Sequence, residues 1–462
     1  MKLNNDVSRR SFVAGSAGLG FAGVLGLAGC SSDGSDDSGS TGSEEETSTA
    51  ETTDDGKIII SLWHSMSGDN EEAINAVVDG YNEQSDTYEV QAEYEGTYDE
   101  SSGKFYSMEN GDGAPAIIQI GEQNLQSMID SGLIADVSAL IDEYSFDDSD
   151  LLEQAVNFYT VDGVLNAMPF NCSAPVVYYN TAAFEEAGIT EFPETFDGIT
   201  EAAETIATST NYSTPVGMYA YGYALDQMAT NMGSYTVNNE NGRADRCTEV
   251  AYLDKMTVIF DWVADLVEKG LLVNYGTDSS NTVSGFAQEE CLMFISSSAM
   301  AVNVIDTCEF DVGIAALPHE EGEDSVGVYA GGGALCIADG LSSDVATGVM
   351  DFCQYATSDE VQAVWASSTG YYPISNNAYE TDTMVSTYET YPQLEVSVEQ
   401  LRNSEISNVT AGPLCSQLPQ LRTDLQSALE TVFNGGEVAS SLEAAMESTN
   451  SAITTANEGV ED

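Results

Sequence analysis

The stretch KIIISLWHSMSGDNEEAINAVVDGYNEQSDTYEVQAEY, Lys57–Tyr94, carries two hydrophobic periods in quick succession. KIIISLW (57–63) is a short apolar run of the kind that forms a buried strand. In GDNEEAINAVVDGYNEQ, Ile74, Val77, Val78 and Tyr81 recur at i, i+3, i+4 and i+7, one face of a helix. YEVQAEY (88–94) alternates and predicts a second strand. AIIQI (116–120) repeats the buried-strand pattern, and EQNLQSMIDSG after it predicts a helix ending at Gly132. Strands alternating with helices imply a parallel sheet covered on both faces.

A second such region begins near APVVYYN (174–180). It includes helical FEEAG, a helix around YLDKMTVIFDWVADLVEKG (252–270) and the strand CLMFISSS (291–298). Trp262, Val263 and Leu266 have the spacing of core residues. GGGALCI (331–337) reads as a strand crossing between the regions, and the chain from Pro419 to about Asn457 as two helices. The expected fold class is α/β with two lobes, each a sheet flanked by helices. A chain of 462 residues is long enough for both.

The chain has 77 Asp and Glu against 11 Lys and Arg, a formal net charge of −66. That balance argues against nucleic acid, whose phosphates require basic partners, and against docking on an anionic membrane surface. It fits either a surface adapted to high salt or an acidic extracellular surface kept soluble by repulsion.

SRRSFVAGSAGLGFAGVLGLAGC, Ser8–Cys30, places Arg9 and Arg10 before a Gly/Ala-rich apolar stretch and small residues before Cys30. It reads as a twin-arginine export signal (1–30) with Cys30 as the lipidation site. Its GLGFAG matches a dinucleotide fingerprint but has no strand before it, so that reading is discarded. Residues 31–56 hold nine acids, no base and no aromatic residue. They are expected to form a disordered tether with a reach of roughly 30 Å. Localisation at the outer face of the cytoplasmic membrane follows. Beyond Cys30 the only basic residues are Lys57, Lys104, Arg243, Arg246, Lys255, Lys269, Arg402 and Arg422. Arg243 and Arg246 lie in the polar NNENGRADRC and are expected to act locally. Seven cysteines follow Cys30 without a CxxC pattern, and exported thiols can pair.

Ligands of open parallel sheets collect at the carboxyl ends of strands. Those ends carry HSM (64–66), Tyr98, Glu122 and Ser296–Ser298. Taken with WHSM, YEGTY, APAIIQIGE, MPFNCSAPVVYYN, GGGAL, TGYYPIS and LPQLR in this order, the chain resembles the extracellular solute-binding proteins of ABC importers, from about Ile58 to Ile453. Within the carbohydrate-type members it is most similar to those that take glycerol 3-phosphate. The resemblance implies that Tyr98, Glu122, Ser173, Ser297, Gly332, Tyr371 and Arg422 contact ligand. Trp63, His64 and Ser65 are further candidates. It also implies a monomer that hands its ligand to ABC permease transmembrane subunits, without catalysis, cofactor or metal. The implied lobes are 57–171 with 333–390 and 175–328 with 391–457, hinged near 171–175 and 328–333.

In this reading Glu122 accepts from glycerol hydroxyls, and Arg422 in the first turn of its helix forks onto phosphate. The alternative for Arg422 is an ordinary ion pair among so many carboxylates. Relatives carry a tryptophan where this chain has Phe196, and YAYGYALDQMATNMG offers Tyr219, Tyr221 and Tyr223 but no tryptophan. These departures leave room for a larger glycerophosphodiester. A neutral oligosaccharide held by Glu122, the tyrosines and Trp63 is the alternative ligand. A hydrolase is disfavoured: His64 and His319 are the only histidines, and no H-E-x-x-H, G-x-S-x-G or P-loop pattern occurs.

Overall fold

The computed structural model describes residues 50–460 apart from residue 112. The export segment, Cys30 and the first part of the acidic tether lie outside the described residues. The strands in chain order are β1 (Ile58–His64), β2 (Tyr88–Tyr94), β3 (Ile117–Gly121), β4 (Thr160–Val161), β5 (Val164–Leu165), β6 (Met168–Ser173), β7 (Pro175–Asn180), β8 (Val216–Met218), β9 (Leu272–Asn274), β10 (Met293–Ser297), β11 (Val312–Ala315) and β12 (Gly331–Ile337). One sheet has the order β2-β1-β3-β12-β6, a second the order β11-β7-β10-β8-β9, and β4 and β5 form a hairpin.

The first unit follows its hydrophobic pattern. The Asp69–Gln84 helix buries Ile74, Val77, Val78 and Tyr81, the four residues on the predicted face. Each such burial is worth about 2 kcal/mol. β1 pairs parallel with β2 and β3. The expected parallel sheet is nevertheless mixed, because β12 runs antiparallel to both β3 and β6. β6 leaves the first sheet for the second and β12 returns from it, so these two crossing strands run in opposite senses. The second sheet is mixed as well, with β7 antiparallel to β10 and β11.

The crossing is abrupt. β6 ends at Ser173 and β7 starts at Pro175, so one buried residue, Ala174, joins the sheets. The Leu253–Glu268, Leu418–Phe433 and Val438–Asn457 helices pack together, and the first two also pack on the Gly222–Asn231 helix, which contacts β7 and β10. Residues 50–56, assigned to the tether by composition, are tied to the body. Ile59 N–H donates to the Glu51 carbonyl at 2.9 Å, and Thr52 bridges to Ile58. The seven cysteines among the described residues are free thiols, and all but Cys308 are buried. No helix among those residues is long and apolar enough to cross a membrane, and no His, Cys, Asp and Glu group there could hold a metal.

Candidate ligand-binding site

A chain of amides ties the end of β1, strands β3 and β6, and the start of the Tyr98–Met108 helix. Ser65 N–H donates to Gln119 Oε1 at 2.9 Å, Gln119 Nε2 to Asn171 Oδ1 at 2.9 Å, and Asn171 Nδ2 to the Tyr98 hydroxyl at 2.9 Å. Tyr98 opens a helix whose capping box joins Thr97 and Glu100. Tyr371 follows Gly370, which ends its helix at φ +100°, and its ring stacks on Trp365 at 5.5 Å. Burial pushes both the Tyr98 and Tyr371 phenols up, so each keeps its proton to donate.

The glycines of β12 let these groups close up. Gly332 has φ +88°, and a Cβ there would run into the Asn171 carbonyl and lie 3.1 Å from Ser173 Oγ. A Cβ on Gly333 would sit 2.8 Å from Asn171 Oδ1 and 2.9 Å from the Tyr98 hydroxyl. Gly332→Ala is expected to cost about 1–3 kcal/mol in urea unfolding. An unchanged midpoint would show that the start of β12 relaxes freely.

Arg422 meets this cluster from the Leu418–Phe433 helix. Its NH1 lies 2.7 Å from Glu122 Oε1, and its Nε donates to Asp226 Oδ2 at 2.7 Å. Its NH2 donates to the Tyr329 hydroxyl at 3.0 Å, and the guanidinium stands 4.9 Å over the Tyr223 ring. Asp226 is fully buried, and its Oδ1 accepts from the Tyr252 hydroxyl at 2.7 Å. Burial pushes the Glu122 and Asp226 carboxyls up against the pull of Arg422. Burial also opposes the charge on Arg422, but Glu122, Tyr329 and Asp226 outweigh it and hold its pKa well above the usual value. One cation thus faces two carboxylates away from water.

Of the residues named from sequence, Glu122 and Arg422 meet directly, and Tyr98, Tyr371, Ser173 and Gly332 surround the same strand ends. The Ser173 carbonyl accepts from the Tyr223 hydroxyl at 2.9 Å. Ser297 ends β10, where its hydroxyl accepts from Ala299 N–H at 3.2 Å and so caps the next turn. Trp63 is turned away: Lys104 Nζ stands 4.1 Å over its ring, and it lines a cavity with Ile59, Ser61, Gln91 and Glu93. His64 is buried with an unpartnered Nδ1, and burial lowers its pKa. Ser65 joins the site through its backbone alone.

Arg422 is the fifth residue of its helix, beyond the free N–H groups of the first turn, so helix-end anion binding is not its role. Phe196 packs on Trp262 with the rings tilted and their centroids 4.8 Å apart, and it belongs to the core. Arg243 and Arg246 are not local either. Arg246 forks onto Asp130 at 2.8 and 2.7 Å, while Arg243 reaches the carbonyls of Phe158 and Thr160. Sequence reading missed Asp226, Tyr329, Gln119 and Asn171. For Asp226 the only signal was an acid inside YALDQMAT, where the helix Gly222–Asn231 is buried on every side.

The sequence profile of the bacterial extracellular solute-binding proteins matches residues 76–395. The chain belongs to this family. Among relatives of this solute-binding protein is the sn-glycerol-3-phosphate-binding periplasmic protein UgpB of Yersinia enterocolitica, 28% identical over 390 residues, covering 81% of this chain and 88% of the relative. UgpB of Brucella melitensis is 29% identical over 409 residues, covering 86% and 93%. UgpB from Mycobacterium tuberculosis, solved in complex with glycerophosphocholine, superimposes with a TM-score of 0.73 at 18% identity, covering 87% of this chain and 100% of that one. The cyclic alpha-maltosyl-1,6-maltose binding protein from Arthrobacter globiformis gives 0.70 at 19% identity, covering 87% and 100%. These neighbours establish the two-lobed fold of the solute-binding protein described here.

Proposed function

We propose that this protein captures glycerol 3-phosphate or a glycerophosphodiester outside the cell and delivers it to the transmembrane subunits of an ABC importer, held near the membrane by a lipid on Cys30. The observation that carries the reading is the contact of Arg422 with Glu122 across the meeting point of the two sheets. In the proposed division, Glu122 belongs to lobe 57–171 with 333–390, and Arg422 to lobe 175–328 with 391–457. Opening about 171–175 and 328–333 would part the pair and present an acceptor and a donor to the same small molecule. Glycerol hydroxyls would donate to Glu122, and phosphate oxygens would accept from NH1 and NH2 of Arg422. Tyr98, Ser173, Tyr371 and Ser297 would supply further hydrogen bonds. The curated relatives are named for glycerol 3-phosphate, and this supports the ligand class.

Thermal and chemical denaturation of the mature protein tests this. A ligand present at 100 times its Kd is expected to add about 2.7 kcal/mol of stability. Glycerol 3-phosphate or a glycerophosphodiester should raise the melting temperature and maltooligosaccharides should not. An unchanged melting curve at millimolar phosphate ligand overturns the reading, and a rise with maltooligosaccharide alone replaces it with the sugar alternative.

A further inference from the structure

The buried centre is unbalanced, with Arg422 against Glu122 and Asp226. The two carboxylates are held differently. Asp226 has both oxygens engaged, one by Arg422 Nε and the other by the Tyr252 hydroxyl, at 2.7 Å each. Its helix is pressed on that of Arg422, since a Cβ on Gly222 would lie 2.6 Å from Arg422 Cβ. Glu122 comes from the other sheet, and its Oε1 approaches NH1 at 2.7 Å without hydrogen-bond alignment. Glu122 is therefore the partner a ligand can displace, while Asp226 stays.

With Asp226 in place, the charge of Arg422 is already matched, and Glu122 leaves one negative charge in excess before any anion arrives. A phosphodiester would add one uncompensated negative charge, and a phosphomonoester above its second pKa, about 6, would add two. Unpaired charge in a buried site is costly. We infer that Asp226 is a specificity-determining residue that favours a singly charged glycerophosphodiester over doubly charged glycerol 3-phosphate. This rests on the function proposed above and fixes the charge of the ligand.

The test is calorimetry at pH 8 on the mature protein and on Asp226→Asn, with glycerophosphoglycerol and glycerol 3-phosphate as probes. The wild type is expected to bind the diester at least about tenfold more tightly. Asp226→Asn should lower that ratio about tenfold or more, mainly by improving the monoester. A purely structural role would weaken both ligands and leave the ratio alone. Tyr252→Phe, which removes one donor to Asp226 and favours its neutral form, should shift the ratio the same way by less, and it serves if Asp226→Asn does not fold. A wild-type preference for the monoester, or a ratio unmoved by either variant, overturns the inference while leaving the proposed function standing. Failure of both probes to bind the wild type overturns both.

Discussion

Arg422→Met is expected to lower the unfolding free energy by about 3–5 kcal/mol, the usual result of removing one partner from a buried ion pair. The variant leaves Glu122 and Asp226 facing each other with no cation. Burial already pushes both carboxyls up, and losing Arg422 removes the group that pulls them down. In the variant the folded state would then hold protons that the unfolded state releases. Between the ordinary carboxyl range and the raised values, its stability must fall as pH rises. Urea unfolding from pH 5 to pH 8 should show the deficit widening. Adding Glu122→Gln and Asp226→Asn should recover most of the loss, because no buried charge remains. A deficit under about 1 kcal/mol at pH 8 would mean that water reaches the carboxylates and that the site is not the dry centre described above. The ligand-induced rise in melting temperature should be absent in every Arg422 variant.

Arg243→Met is expected to cost about 3 kcal/mol through several carbonyls losing their donor at once. Its Nε donates to the Gly412 carbonyl at 2.8 Å and its NH2 to that of Phe158 at 2.9 Å, while NH1 reaches Thr160 at 3.2 Å and Ala411 also accepts. Among the described residues it has no carboxylate partner, and burial works against its charge. Phe158 and Asn157 end the Glu153–Tyr159 helix, whose C-terminal carbonyls favour a cation. Lysine should not substitute, since one ammonium cannot span carbonyls presented from two sides. Hydrogen exchange should accelerate at 157–160 and 411–412 in both variants. Protection unchanged in those segments would show that the guanidinium fills space and ties nothing.

Local pattern made much of this molecule legible. The face of the Asp69–Gln84 helix, the buried strands and the paired C-terminal helices were all legible, because each carries its own apolar stripe or run. The direction of β12 was not legible. A run such as GGGALCI is equally apolar in either sense, and only the return path from the second sheet decides it. The strand-end rule placed Tyr98 and Glu122, and the family resemblance added Ser173, Gly332, Tyr371 and Arg422. Asp226 escaped because one acid among 77 Asp and Glu stands out only by its burial, which sequence does not display. Arg243 and Arg246 were misread for the complementary reason. A polar loop predicts solvent, yet their partners lie more than 80 positions away in the chain.

The seven unbridged sulfurs have a consequence for manufacture. A body whose cohesion owes nothing to covalent staples has no oxidation step to wait for. Its native packing is reachable in a reducing compartment as readily as in an oxidising one.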